Sequence, residues 1–100
     1  MFARVARYSG DAEELVRGFD GARGELEQME GFSHAYFCVD RSSGKGLSMT
    51  LWETQAALEA SAERAHELRS QATQPSGSTT DSVNHYEVVL TARRSRAATA

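Results

Sequence analysis

The chain has 100 residues, 40% apolar and 25% charged, which describes one small soluble domain near the lower end of the size that builds a core unaided. Its formal charge is -3, but Arg93, Arg94 and Arg96 close the chain, so residues 1 to 91 hold 8 basic against 14 acidic groups; that balance argues against nucleic acid, whose affinity rests on clustered Lys and Arg meeting phosphate. No stretch approaches a membrane span, Met1 leads straight into a strand pattern with no room for a signal peptide, and Cys38 is the only cysteine, so a cytoplasmic protein with no internal disulfide, no cysteine-rich metal site and Cys38 as a small buried hydrophobe is expected.

The opening MFARVARY alternates loosely and predicts a strand, which Ser9-Gly10 interrupts. Asp11 and Glu14 form a capping box, and Ala12, Leu15, Val16, Phe19, Ala22, Leu26 and Met29 follow at helical spacing. Gly18, Gly21 and Gly24 interrupt that helix, which is expected to bend or to admit a neighbouring backbone; Gly31 stops it. SHAYFCVD, residues 33 to 40, predicts a second strand with Ala35, Phe37 and Val39 on one face and His34, Tyr36 and Cys38 on the other. DRSSGKG reverses the chain into a third strand, where Leu47, Met49 and Leu51 alternate with Ser48, Thr50 and Trp52. Thr54 caps a second helix whose inward stripe is Ala57, Leu58, Ser61, Ala65, Leu68 and Ala72. TQPSGSTTD is a polar loop, SVNHYEVVL (82 to 90) a fourth strand, and residues 92 to 100 a flexible basic tail.

The order βαββαβ is the split arrangement of a ferredoxin-like α+β fold over residues 1 to 91, with four antiparallel strands and both helices on one face. The uncovered face would expose a sizeable apolar patch. A second copy of the same sheet would hide it, so a homodimer closing a barrel around a central cavity is expected.

Residues 31 to 61, GFSHAYFCVDRSSGKGLSMTLWETQAALEAS, resemble the antibiotic biosynthesis monooxygenase-like group of the dimeric α/β barrel superfamily, in its small actinobacterial form. The likeness is carried by Gly31-Phe32, Val39-Asp40-Arg41, Leu51-Trp52-Glu53 and Ala57-Leu58-Glu59-Ala60-Ser61. It implies either a cofactor-independent monooxygenase, in which the deprotonated substrate supplies the electron to oxygen, or a binder of small aromatic or polyketide-like ligands. Other members degrade haem with a strand-one Asn, a helix-two Trp and a helix-two His; here strand one has no Asn and the corresponding helix positions hold Ser61 and Gln71, so haem chemistry is disfavoured. His66 is the only histidine on the second helix and is expected at its surface.

If the barrel forms, Ser48, Thr50 and Trp52 face its interior together with His34 and Tyr36, and His85 joins them provided Tyr86, Val88 and Leu90 face the helices. An indole offers a stacking surface, hydroxyls and imidazole orient a phenol, and His34 or His85 is a candidate general base because imidazole titrates near neutral pH. No His, Cys and carboxylate set has metal-ligand spacing, and no cofactor is expected. The other class of reading is a non-catalytic, stress-associated dimer whose polar residues only stabilise its interface.

Overall fold

A computed structural model describes residues 1 to 95. Strand β1 (Phe2–Ser9) leads to helix α1 (Ala12–Leu26), strands β2 (Phe32–Asp40) and β3 (Lys45–Trp52) form the hairpin, helices α2 (Gln55–Ala60) and α3 (Ala62–Thr73) follow, and β4 (Thr79–Glu87) completes the sheet. The strand order is β2-β3-β1-β4 with every pair antiparallel. This is the expected α+β, four-stranded antiparallel arrangement.

Local chemistry sets the element ends. The Asp11 carboxylate accepts the Glu14 N–H at 3.1 Å and starts α1, and the Thr54 hydroxyl accepts the Ala57 N–H at 3.1 Å and starts α2. Helix α1 ends at Leu26, three residues before the expected Met29, and Gly31 at φ +77° carries the chain into β2. The second helix is two helices. At Ser61 the hydroxyl donates to the Leu58 carbonyl at 2.7 Å while the Arg4 Nη2–H donates to the same oxygen, also at 2.7 Å, so that oxygen serves side chains at the break in the helix. Strand β4 starts and ends three residues earlier than expected, and an extra residue, Asp81, bulges between the partners of Arg7 and Tyr8. Of the expected basic tail, residues 96 to 100 lie outside the described part.

Between sheet and helices lie two joined clusters: Ala6, Tyr8, Leu15 and Phe19 at one end, and Leu26, Trp52, Leu58 and Leu68 at the other, with Phe37 touching both. Helices α1 and α3 cross at Gly18, where a Cβ would sit 2.5 Å from the Ala72 carbonyl oxygen. This is the close backbone approach that the glycine spacing suggested. Nothing lies within 4 Å of a Cβ built at Gly21.

The main correction concerns β3. Its Ser48, Thr50 and Trp52 face the chain's own helices, and Leu47, Met49 and Leu51 face the bare side of the sheet. The register is unambiguous: Thr50 lies opposite Ala35 and Ser48 opposite Phe37, and cross-strand partners share a face. Trp52 is fully buried. Cys38, expected inside, is exposed on the bare face opposite Leu47.

Gly18→Ala should destabilise the fold by about 1 to 3 kcal/mol, because the added carbon collides with backbone, whereas Gly21→Ala should be neutral or stabilise by up to about 1 kcal/mol; urea denaturation of the two variants checks the contrast. Trp52→Ala should cost about 3 to 5 kcal/mol in the same measurement, the loss of a core residue, and a cost below about 1 kcal/mol would contradict its placement.

Candidate functional site

Alternation along β1 turns Phe2, Arg4, Ala6 and Tyr8 toward the helices. Their β3 neighbours are Trp52, Thr50, Ser48 and Gly46. A row of small or hydroxylated residues on β3 therefore lies beside two long polar side chains on β1, under helices carrying Phe19, Ala22, Leu26, Ala65, Leu68 and Ala72. These residues, with Phe37 and Arg69, enclose a hollow of about 40 Å³. A groove of about 240 Å³ between α1 and α3 shares Ala22, Leu68 and Ala72 with it and is floored by Gly18 and Gly21. The groove and the hollow thus share three wall residues.

Arg4 governs the electrostatics. It is only 3% exposed, and each of its guanidinium nitrogens has a neutral partner: Nη1–H donates to the Ser61 hydroxyl at 3.1 Å, Nη2–H to the Leu58 carbonyl, and Nε–H to His85 Nε2 at 3.3 Å. The guanidinium carbon lies 5.8 Å from the centre of the Trp52 ring, within reach of a cation–π attraction. Burial, then the like charge of Arg69, lowers its pKa to about 10, so it remains cationic at neutral pH. Arg69, on α3, is also lowered by burial. Among the described residues no carboxylate pairs with either, although Arg17, Arg23, Arg41 and Arg64 at the surface are each paired with Asp or Glu.

The hydroxyls form two contacts inside the same space. The Tyr8 and Ser48 hydroxyls share a hydrogen bond of 2.8 Å, and Trp52 Nε1–H donates to the Thr50 hydroxyl at 3.0 Å. Burial raises the Tyr8 pKa, so it stays a neutral phenol. Because His85 accepts from Arg4, its Nε2 is unprotonated and the neutral ring carries its proton on Nδ1. Burial first, then the charges of Arg4 and Arg69, lowers the His85 pKa.

The six residues singled out from sequence split between the two faces. Ser48, Thr50, Trp52 and His85 lie on the helix side; His34 and Tyr36 lie on the bare side, opposite Leu51 and Met49, with their rings edge to face at 5.5 Å. His34 Nδ1 shares a hydrogen bond of 2.9 Å with the Ser33 hydroxyl. His34 also lines a wider depression, about 650 Å³ along the outer edge between α1 and β2, where Asp20, Arg23 and Glu27 are exposed and Arg23 is already paired with Asp20. That open, solvated groove offers a ligand less than the desolvated cation does. His66 and His85 are both exposed and neither lines the hollow; His85 reaches it only through its contact with Arg4. Arg4, Tyr8 and Arg69 were not singled out as pocket residues. Their signal is the phase of β1, which places Arg4 and Tyr8 in step with Phe2 and Ala6.

Comparison with curated proteins yields no match. Among solved structures, the chain resembles SnoaB, a cofactor-independent oxygenase from Streptomyces nogalater, with 16% identity and a TM-score of 0.72 over 90% of this chain and 94% of that one. It is similar to the monooxygenase from the gene ActVA-Orf6 of Streptomyces coelicolor, solved with nanaomycin D, with 15% identity and a TM-score of 0.69 over 94% and 92%. The haem degrader MhuD from Mycobacterium tuberculosis, solved with two hemes bound, matches at 20% identity and a TM-score of 0.71 over 93% and 100%. These likenesses establish a shared fold, and a match to the family's sequence pattern over residues 1 to 73 places the chain in the antibiotic biosynthesis monooxygenase family.

Proposed function

We propose that the protein binds a small hydroxyaromatic molecule in the hollow between its sheet and its helices and oxidises it with dioxygen, without a bound cofactor. The observation that carries this reading is the convergence of the Tyr8, Ser48 and Thr50 hydroxyls and the Arg4 guanidinium on one space walled by Phe19, Leu26 and Phe37. Small-molecule sites have that make-up: an apolar hollow with a few polar groups that fix orientation. The enclosed volume alone holds about one water. A ring therefore enters by way of the groove between α1 and α3, widening the seam of small residues.

In the reaction the phenolic oxygen lies against the hydroxyl pair and Arg4 holds the resulting oxyanion; the proton passes through water to His85, which is exposed on β4 outside the hollow's lining and accepts it at Nε2 once its hydrogen bond from Arg4 opens. His34 is on the wrong side of the sheet for this role. The field of Arg4 and Arg69 that makes His85 a weak base makes the bound phenol a stronger acid, so donor and acceptor remain matched. For an anthrone-like substrate, the carbanion carbon gives electrons to dioxygen and bonds to one oxygen atom. The other oxygen takes a proton; loss of water then breaks the O–O bond and leaves a carbonyl. The methylene loses both hydrogens, four electrons pass from carbon to oxygen, and one oxygen atom is retained.

A second copy covers the bare face, on which Leu47, Met49, Tyr36 and Tyr86 are uncovered by any helix. Two such faces form the barrel of a homodimer. Its interior is then an interface, and the ligand site is inside each protomer. Of the positions that would correspond to the haem triad, Ser61 is engaged with Arg4 and Gln71 lines the groove between α1 and α3, which favours a phenolic ligand over haem.

Oxygen uptake with a panel of anthrones and hydroquinones, free of flavin, tests the chemistry: turnover is expected, and neither turnover nor binding would overturn the reading. His85→Gln should lower kcat by about 10²- to 10⁴-fold with ligand affinity within a few fold. A base with a lowered pKa stays neutral into acid, so the acidic limb of kcat/KM should lie below the ordinary imidazole value of about 6.5 and vanish in that variant. Sedimentation should give a dimer that Tyr36→Glu weakens at least tenfold, through two charges buried in a face opposite Met49; a wild-type monomer at tens of micromolar contradicts the interface.

A further inference from the structure

We propose that the natural ligand carries a fixed negative charge in addition to its phenolic oxygen, as an aromatic carboxylic acid does, and that Arg69 together with Arg4 recognises it. The inference rests on the hollow being the ligand site and names the class of molecule it accepts.

Charge is compensated in some parts of this chain and not in others. Residues 1 to 91 contain 14 carboxylates and only 8 basic groups, so an arginine in this chain has many available partners. Four surface arginines take them: Arg17 pairs with Glu14, Arg23 with Asp20, Arg41 with Glu13, and Arg64 with both Glu25 and Glu67, while Arg7, exposed on the bare side, is left to solvent. These are the pairs that matter least, because water and salt already screen exposed charges. The two arginines that line the hollow are the ones for which pairing would matter most. Among the described residues neither has a carboxylate within salt-bridge distance, and Arg69 makes no side-chain hydrogen bond. An unpaired cation in a desolvated site costs free energy that neutral acceptors offset only in part, and a site with that cost is a candidate for a ligand of opposite charge.

A phenolate alone answers one of the two cations. The second requires a second anionic group on the same molecule or on its substituent. Arg69 is half-buried and stands on α3 beside Leu68, and Leu68 belongs to both the hollow and the groove. A carboxylate next to the ring would meet it where the two spaces join. A guanidinium suits this task better than an ammonium, since its planar pair of N–H donors matches a carboxylate.

Calorimetry with 2-naphthoate, its neutral amide 2-naphthamide, and 1-naphthol tests the inference on the intact protein. Wild type should bind 2-naphthoate at least about tenfold more tightly than 2-naphthamide, the gain typical of a charged hydrogen bond. Arg69→Gln should remove most of that preference while leaving the amide within about twofold, and Arg69→Lys should restore part of it. Because Arg69 holds nothing else in place, these variants are expected to fold; Trp52 emission, from the chain's one tryptophan, reports whether they do. Equal affinity for acid and amide, or a preference that survives Arg69→Gln, overturns the carboxylate while binding of 1-naphthol leaves the hollow intact as a site. Binding of none of the three overturns both.

Discussion

The buried guanidinium of Arg4 ties the site to the fold. It joins three separate parts of the chain: β1, which carries it; the junction of α2 and α3, through Ser61 and the Leu58 carbonyl; and β4, through His85. A cation withdrawn from water incurs a penalty of several kcal/mol after relaxation. Here it is offset in part by neutral acceptors and by the face of the Trp52 indole. The same contacts shape the backbone. With the Leu58 carbonyl occupied by Arg4 and Ser61, the helical path changes at residue 61, and α3 runs on to lay Ala65, Leu68 and Arg69 over the hollow beside Tyr8 and Phe19. The break in the helix and the placement of the buried cation are thus tied to the same contacts.

Element order, the ferredoxin-like class and most of the buried stripe on each helix were legible from periodicity, because long apolar stripes with capping residues at their starts leave little choice. The phase of β3 was not. Two readings of KGLSMTLW have equal periodicity, and the one that buries Leu47, Met49 and Leu51 looks better by hydropathy. The information that decides lies in the hairpin. Asp40 pairs with Lys45 across a four-residue reversal, which puts Phe37 opposite Ser48 and Ala35 opposite Thr50. Since Phe37 and Ala35 face the helices, so must the hydroxyls, and Trp52 with them. The preference for large apolar residues inside fails because the space is already filled from elsewhere. Leu15 and Phe19 press down on Gly46, and Tyr8 and Arg4 reach across from β1, so β3 supplies small residues where its neighbours supply large ones.

That inversion redistributes the candidate residues. His34 and Tyr36 belong with the apolar residues of the uncovered face, whose physical demand is burial against another surface. Ser48, Thr50 and Trp52 belong with Arg4, Tyr8 and His85, whose demand is a partner for a charge. A barrel interior and an intra-protomer hollow answer different problems in the same molecule, and a sheet with two sided chemistry supports both. At 15 to 20% identity the solved relatives share the frame. The side chains that fill it have to be understood from this chain's own geometry.

Hydrogen bonding and charge are separately balanced in that hollow, and the difference determines what it can select. Every guanidinium nitrogen of Arg4 has an acceptor, and no buried side-chain polar atom among the described residues lacks a partner. A neutral ligand arriving there must displace or share contacts that are already made, for little net gain. The charge is different. Ser61, the Leu58 carbonyl and a neutral His85 bring dipoles but no negative charge, and a dipole's field falls off faster with distance than that of an ion. At low effective dielectric an anion some ångströms away is still strongly attracted, without taking any of the existing hydrogen bonds. The arrangement is pre-organised in the sense that matters for a developing oxyanion: its donors are fixed, its cation is in place, and little water has to be moved when the charge appears.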